Sequence, residues 1–164
     1  MIEGPRGTRS EEREPLRQLV GNVFRPSLMD EYPQLFHNGN LENCRIILED
    51  GKIVSHVGLT QQWASILGCT VGVGCIGGVG TDKAHRGNGY ATQLFDDASA
   101  KCYAEGFDFM NISGDRSLYR RAGCRKVGRD YEATIAVEQV ALNPDAIGAE
   151  RFDAGVSIVS CTEA

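Results

Sequence analysis

The residues with the clearest chemical potential lie in 79–92, Val-Gly-Thr-Asp-Lys-Ala-His-Arg-Gly-Asn-Gly-Tyr-Ala-Thr, an apolar strand end running into a glycine turn that opens a helix. Free backbone N–H groups at a helix start, together with the positive end of the helix dipole, favour a phosphate or pyrophosphate. Gly87 and Gly89 allow close approach of the backbone, and Arg86 adds a charged, forked donor to the same anion. A lone Gly-x-Gly equally fits a tight strand-to-helix connection, so the surrounding elements must decide.

Other candidates are weaker. His37 falls in a loop and His56 on a strand, where a single histidine is more often solvated or structural than a ligand. Cys44, Cys69, Cys75, Cys102, Cys124 and Cys161 are scattered without Cys-x-x-Cys or Cys/His spacing, so no metal site or disulfide framework is expected. Gly72-x-Gly74-x-x-Gly77 imitates a dinucleotide fingerprint, but the strand continues to Val79 where that fingerprint needs a helix. No Gly-Lys-Ser/Thr triplet follows, so a P-loop fails as well. These glycines instead mark a bulged strand where a ligand or another part of the chain comes close.

The elements that must position the turn can be read in order. Residues 11–24 form a helix with Leu16, Leu19, Val20 and Val23 on one face, ended by Pro26. Residues 25–40 are a loop with a short helix. Strands at 44–49 and 52–60 pair as a hairpin about Asp50-Gly51, with Ile53, Val57 and Leu59 on one face and Val54, His56 and Gly58 on the other. Trp63 is expected in the core or in a cleft wall. A strand at 70–81 precedes the turn, and from Asn88 the helix buries Ala91, Leu94, Phe95, Ala98 and Cys102 before Gly106 stops it. A short buried strand at 107–112, a helix at 116–122 capped by Asp115, and closing strands at 124–127 and 131–137 complete the pattern.

At 164 residues and net charge −5 the chain suits one main domain, without the electropositive field of a nonspecific nucleic-acid binder. No apolar run nears the roughly 20 residues of a membrane span, and the first ten residues are too polar for a secretory signal. A cytoplasmic location, with no nucleic-acid or membrane partner, is therefore expected. Residues 143–155 resemble a linker and 156–159 the opening of another strand. The expected division is a domain at 1–140 and, at 141–164, a linker with the start of a following domain, as in the first part of a longer protein.

Arg86-Gly87-Asn88-Gly89-Tyr90-Ala91 matches the Gln/Arg-x-x-Gly-x-Gly/Ala signature of the GNAT superfamily of acetyl-CoA-dependent N-acetyltransferases. Tyr119-Arg120-Arg121-Ala122-Gly123-Cys124 resembles that family's Tyr-x-x-x-Gly-Phe segment, departing at Cys124. The resemblance is specific from 71 to 127 and weak before it. It implies an α/β (α+β) GNAT fold: a mixed, mostly antiparallel twisted sheet, helices on both faces, and a V-shaped splay between the fourth and fifth strands.

The resemblance also implies roles. The strand edge at Val79, Gly80 and Thr81 would pair with the pantetheine arm of acetyl-CoA, and a backbone N–H near Val79 or Gly80 would hold the oxyanion. Amides of Gly87, Asn88, Gly89, Tyr90, Ala91 and Thr92 would hold the pyrophosphate beside Arg86. Asn111 would contact the cofactor where the strands part, and Tyr119 would protonate the departing thiolate. His56 and Glu49 are the candidates for a general base. The implied reaction is acetyl transfer to a primary amine of a small molecule, peptide or protein. The alternative is a regulatory module that binds acetyl-CoA or CoA without turnover. An exposed closing strand would allow a homodimer.

Overall fold

The computed structural model describes residues 1–127, of which Met1–Arg125 form one unit. The expected division at residue 140, the strands at 131–137 and 156–159, and the linker at 143–155 lie outside the described residues. Strand β1 (Ile2–Gly7) leads through a 3₁₀ turn into helix α1 (Arg13–Val23) and two single-turn helices, α2 (Leu28–Glu31) and α3 (Pro33–Phe36). Strands β2 (Cys44–Glu49), β3 (Lys52–Ile66) and β4 (Cys69–Thr81) follow. Helix α4 (Tyr90–Ala104), strand β5 (Phe109–Ile112) and helix α5 (Ser117–Arg121) complete the described chain.

The sheet order is β1-β2-β3-β4-β5, antiparallel except for the parallel β4–β5 pair. Turn chemistry sets the register of β2–β3: Asp50 and Gly51 have φ of 50° and 79°, the paired left-handed conformations of a type I′ hairpin. Leu67 and Gly68, at 51° and 83°, do the same for β3–β4.

Alternation along β2 divides the core. Ile47 faces α4, where Leu94, Phe95, Ala98 and Cys102 are buried. Ile46 and Leu48 face the other way, towards Leu16 and Val20 of α1 and Phe36 of α3. Helices therefore cover both sides of a mixed sheet, and the expected fold class holds. A partly buried ion pair, Arg45 Nε to Asp97 Oδ2 at 2.5 Å, ties β2 to α4. Helix α4 stops in a Schellman turn, with Gly106 at φ 78° and Phe107 N–H bonded to Cys102 O at 3.0 Å.

Several expectations need correction. A bulge in β3 skips Val54, since Ile53 pairs with Leu48 and Ser55 with Ile47. It moves Ile53 to the α1 side and Val54 to the side of Val57 and Leu59, reversing the expected assignment of those two residues. Strand β3 runs to Ile66 rather than Thr60, and Trp63 on this extension is 66% exposed, stacked on Phe107 at 5.4 Å, neither core nor cleft wall. Strand β5 is not buried: Phe109 is 43% exposed because β5 is an edge among the described residues. Residues 124–127 have no partner strand among the described residues and take no strand conformation. Arg116, not Asp115, occupies the N-cap of α5. Strand β1 is an addition, because Gly4, Pro5 and Gly7 erase the alternating pattern of a strand.

The glycines of β4 admit side chains from the helices. A Cβ at Gly74 would overlap Cys102 Sγ of α4 and stand 3.3 Å from Leu59 Cδ1. Gly74→Ala should therefore lower unfolding free energy by about 1–3 kcal/mol, and adding Cys102→Ala should recover part of the loss. Urea midpoints of the two variants, compared with the unmodified chain, measure this.

Candidate functional site

The β4–β5 ladder is short. Val73 to Ile76 pair with Phe109 to Ile112, whereas β4 continues to Thr81, so its last residues run past the end of β5. Two features mark this end. Gly78, at φ 59°, lies in a bulge where the β3 register slips between His56 and Gly58. Gly80 carries no side chain where Val23 Cγ1 and Phe24 Cε2 press in, each 2.9 Å from where a Cβ would stand. The β3 neighbour is fixed by Ser55 Oγ, 2.8 Å from Thr81 Oγ1.

Beyond Thr81, Asp82 caps a 3₁₀ turn, accepting from Ala84 N–H at 3.0 Å and lying 2.7 Å from His85 Nδ1. The chain then turns through Gly87 and Gly89, at φ 91° and 78°, and Gly89 is the N-cap of α4. Thr92 and Gln93 N–H bond Gly89 O, at 3.0 and 3.1 Å. The N–H groups before them have no carbonyl one turn earlier to bond. Tyr90 is anchored by its hydroxyl to Glu49 Oε2 at 3.1 Å, and His85 Nε2 lies 3.7 Å from the same oxygen.

A cavity of about 580 Å³ occupies the angle between the β4 end and this turn. Val79, Gly80 and Thr81 form one wall. Arg86, Gly87 and Gly89 form another, and Tyr90, Ala91 and Thr92 supply the helix start. Nine of the residues read from the sequence are thus brought together. Asn88 is exposed at the turn outside the wall. Asn111 pairs with Cys75 inside the ladder, one residue before it ends, and is exposed. Tyr119 is 7% exposed, packed against Phe95 at 5.8 Å, and also lies outside the wall; burial raises its pKa above the usual phenol value while the charge of Arg116 pulls it down.

The sequence reading missed Val23, Phe24, His85, Arg116 and Arg121, which complete the wall. Arg121 stood within the quoted tyrosine segment. Arg116 carried no signal, because only folding brings its Nη1 to Val79 O, at 3.0 Å. Arg86 Nε reaches Thr81 O at 3.3 Å and Arg121 Nη1 reaches Ser117 Oγ at 3.0 Å. Among the described residues none of these three arginines has a carboxylate partner, whereas Arg6, Arg17, Arg25, Arg45 and Arg120 do. Among the described residues no carboxylate lines the cavity, in a chain of net charge −5. Such a lining suits an anion.

Of the two base candidates, Glu49 is engaged by Tyr90 and stands outside the wall. His56 is 1% exposed, with Nδ1 2.8 Å from Gly78 O and Phe36 at 5.6 Å, and Nε2 has no partner among the described residues. Among those residues no cluster of His, Cys, Asp and Glu could hold a metal, and no helix is long and apolar enough to cross a membrane. The five described cysteines are unbridged.

The family model for the acetyltransferase (GNAT) domain matches residues 5–127, and the chain belongs to that family. No curated protein matches it in sequence. Among solved structures it resembles a predicted acetyltransferase from Clostridium acetobutylicum with acetyl-CoA, at 16% identity and TM-score 0.66, over 82% of this chain and 96% of that one. A GNAT family acetyltransferase from Brucella melitensis in complex with acetyl-CoA is similar at 22% identity and TM-score 0.60, over 80% and 90%. A probable N-acyltransferase from Enterococcus faecalis is similar at 18% identity and TM-score 0.61; the match covers 75% of this chain but 31% of that longer one. At these identities the likeness establishes the fold.

His56 generates a pH prediction. Burial lowers its pKa from 6.5 to about 4, opposed by its bond to Gly78 O. The unfolded chain then binds this proton more readily than the folded one, so the stabilisation is complete above pH 6.5 and is lost as pH falls towards 4. Unfolding free energy should drop by about 2 kcal/mol from pH 7 to pH 5. Urea unfolding of His56→Gln at both pH values should show a smaller drop.

Proposed function

We propose that the protein is an N-acetyltransferase that moves the acetyl group of acetyl-CoA to a primary amine. The observation that carries this reading is the cavity itself, where a glycine turn at a helix start and three arginines meet a strand edge, the arginines without a carboxylate partner and the edge without a partner strand among the described residues. A pyrophosphate needs the first and a chain of amides needs the second, and acetyl-CoA has both. The two relatives described above with acetyl-CoA support the same donor.

In this reading the N–H groups from Gly87 to Ala91, with Arg86 beside them, hold the pyrophosphate. Thr92 contributes position only, since its N–H is committed to Gly89 O. Val79, Gly80 and Thr81 pair with the pantetheine arm, and a backbone N–H at Val79 or Gly80 meets the oxyanion that forms on the thioester carbonyl. Val23 and Phe24 wall the reacting end with apolar surface. The attacking amine loses its proton to water, and Tyr119 supplies one to the thiol product. Asn88 and Asn111 act from the rim of the site.

Titration calorimetry with acetyl-CoA should show binding to the full chain that is lost in the Arg86→Ala, Gly89→Glu double variant. Release of free thiol in the presence of a panel of primary amines should follow. Binding with no release on any amine would favour a regulatory module. Tyr119→Phe should lower turnover about 10- to 100-fold with acetyl-CoA affinity nearly unchanged, by steady-state kinetics and calorimetry; unchanged turnover would remove Tyr119 from the reaction.

A further inference from the structure

We propose that Arg116 is a catalytic residue whose guanidinium stabilises the thiolate of coenzyme A as it departs. The proposal rests on the acetyl-transfer reading and adds to it a group that the sequence motifs do not contain.

Position is the first argument. Arg116 precedes α5 in an extended conformation, φ −89° and ψ 151°, which sends its side chain back across the splay to β4. Nη1 donates to Val79 O at 3.0 Å, at the residue whose backbone is assigned to the thioester carbonyl, and Arg116 is part of the cavity wall. Tyr119, the other candidate for the leaving group, is outside that wall and close enough behind Arg116 to feel its charge. The charged group stands nearer the cavity than the phenol does.

Charge is the second. Among the described residues no carboxylate pairs with Arg116, although Arg120 in the helix that it caps is paired with Asp115 at 3.1 Å. The carboxylate next to it in the chain, Asp115, is the one that Arg120 engages. The other ionisable groups beside it are Tyr119, and His85, Arg86, Tyr90 and Arg121 in the cavity wall, none of them a carboxylate.

Energetics is the third. A phenol of ordinary pKa near 10 protonates a thiolate, whose conjugate acid has a pKa of about 8.5, at a cost of about 2 kcal/mol. Burial of Tyr119 adds to that cost. A fixed cation stabilises the thiolate with no proton moving, and a guanidinium keeps its charge at every relevant pH. In the transfer the amine nitrogen forms the new C–N bond, the C–S electron pair leaves on sulfur, and the amine proton passes to water. The thiolate pairs with Arg116 and is protonated afterwards by Tyr119.

The test needs no amine. Ultraviolet absorbance of the thiolate, followed through a pH titration of CoA bound to the full chain, reports the bound thiol pKa. It should lie at least one unit below that of free CoA, return to the free value in Arg116→Gln, and stay partly lowered in Arg116→Lys and fully lowered in Tyr119→Phe. With acetyl-CoA and an accepted amine, Arg116→Gln should lower kcat about 100-fold with little change in KM. Equal bound thiol pKa values in the unmodified chain and Arg116→Gln would overturn the proposal. A shift that depends on Arg116, without turnover on any amine, would support the thiolate contact and overturn acetyl transfer. Failure of CoA to bind, seen by calorimetry, would overturn both.

Discussion

Strand β4 outruns its parallel partner: Gly77, Gly80 and Thr81 stay paired with β3, but on the β5 side the backbone groups of residues 77–81 have no partner strand among the described residues. Unpaired peptide groups at a partly buried edge are costly, so they recruit whatever donors lie nearby. Val79 O takes Arg116 and Thr81 O takes Arg86, two carbonyls of like orientation on one strand, each met by a guanidinium. The same shortfall that opens a space for a ligand therefore gathers positive charge around it. The glycine turn adds the start of α4 to the same space, and an anion site results from a missing ladder.

Keeping that edge in place requires support from both faces of the sheet. On one face α4 presses against Gly74 and fixes where the turn begins. On the other, Val23 and Phe24 at the end of α1 reach Gly80 because it has no side chain. The glycine run that imitates a nucleotide fingerprint is thus a contact surface for two helices. Its spacing reflects alternation in a strand, with Gly72 and Gly74 against Phe107 and Cys102, and Gly80 against α1.

How much of this was legible in the sequence depends on whether the cause is local. The Asp50-Gly51 hairpin, the apolar face of α4 and its Gly106 stop follow from neighbouring residues, and they read correctly. Nine of the residues singled out in the sequence line one cavity, because a turn and the strand before it are contiguous in the chain. The bulge at Val54 was invisible, since register is a property of two strands, and it swapped Ile53 and Val54 between cores. Trp63 was misplaced because its exposure depends on how far β3 and β4 extend past the helices. Arg116 has no distinguishing sequence context, and Arg121 stood at an unconstrained position of the tyrosine segment; what marks both is the lack of a carboxylate partner among the described residues, which only a fold can reveal.

The groups that hold the bulge also limit what pH can do to it. Gly78 O is bonded by His56, which burial keeps neutral down to about pH 4, and the next carbonyl, Val79 O, is bonded by an arginine that stays charged through any ordinary range. A tautomer with Nδ1 protonated donates to Gly78 O, and protonating Nε2 as well would place a charge in a sealed apolar pocket beside Phe36. Neither contact changes between pH 5 and pH 9. The geometry of the strand edge is accordingly constant where acetyl transfer would be measured, so a pH profile of turnover would report the amine, the thiol and Tyr119 rather than a moving backbone.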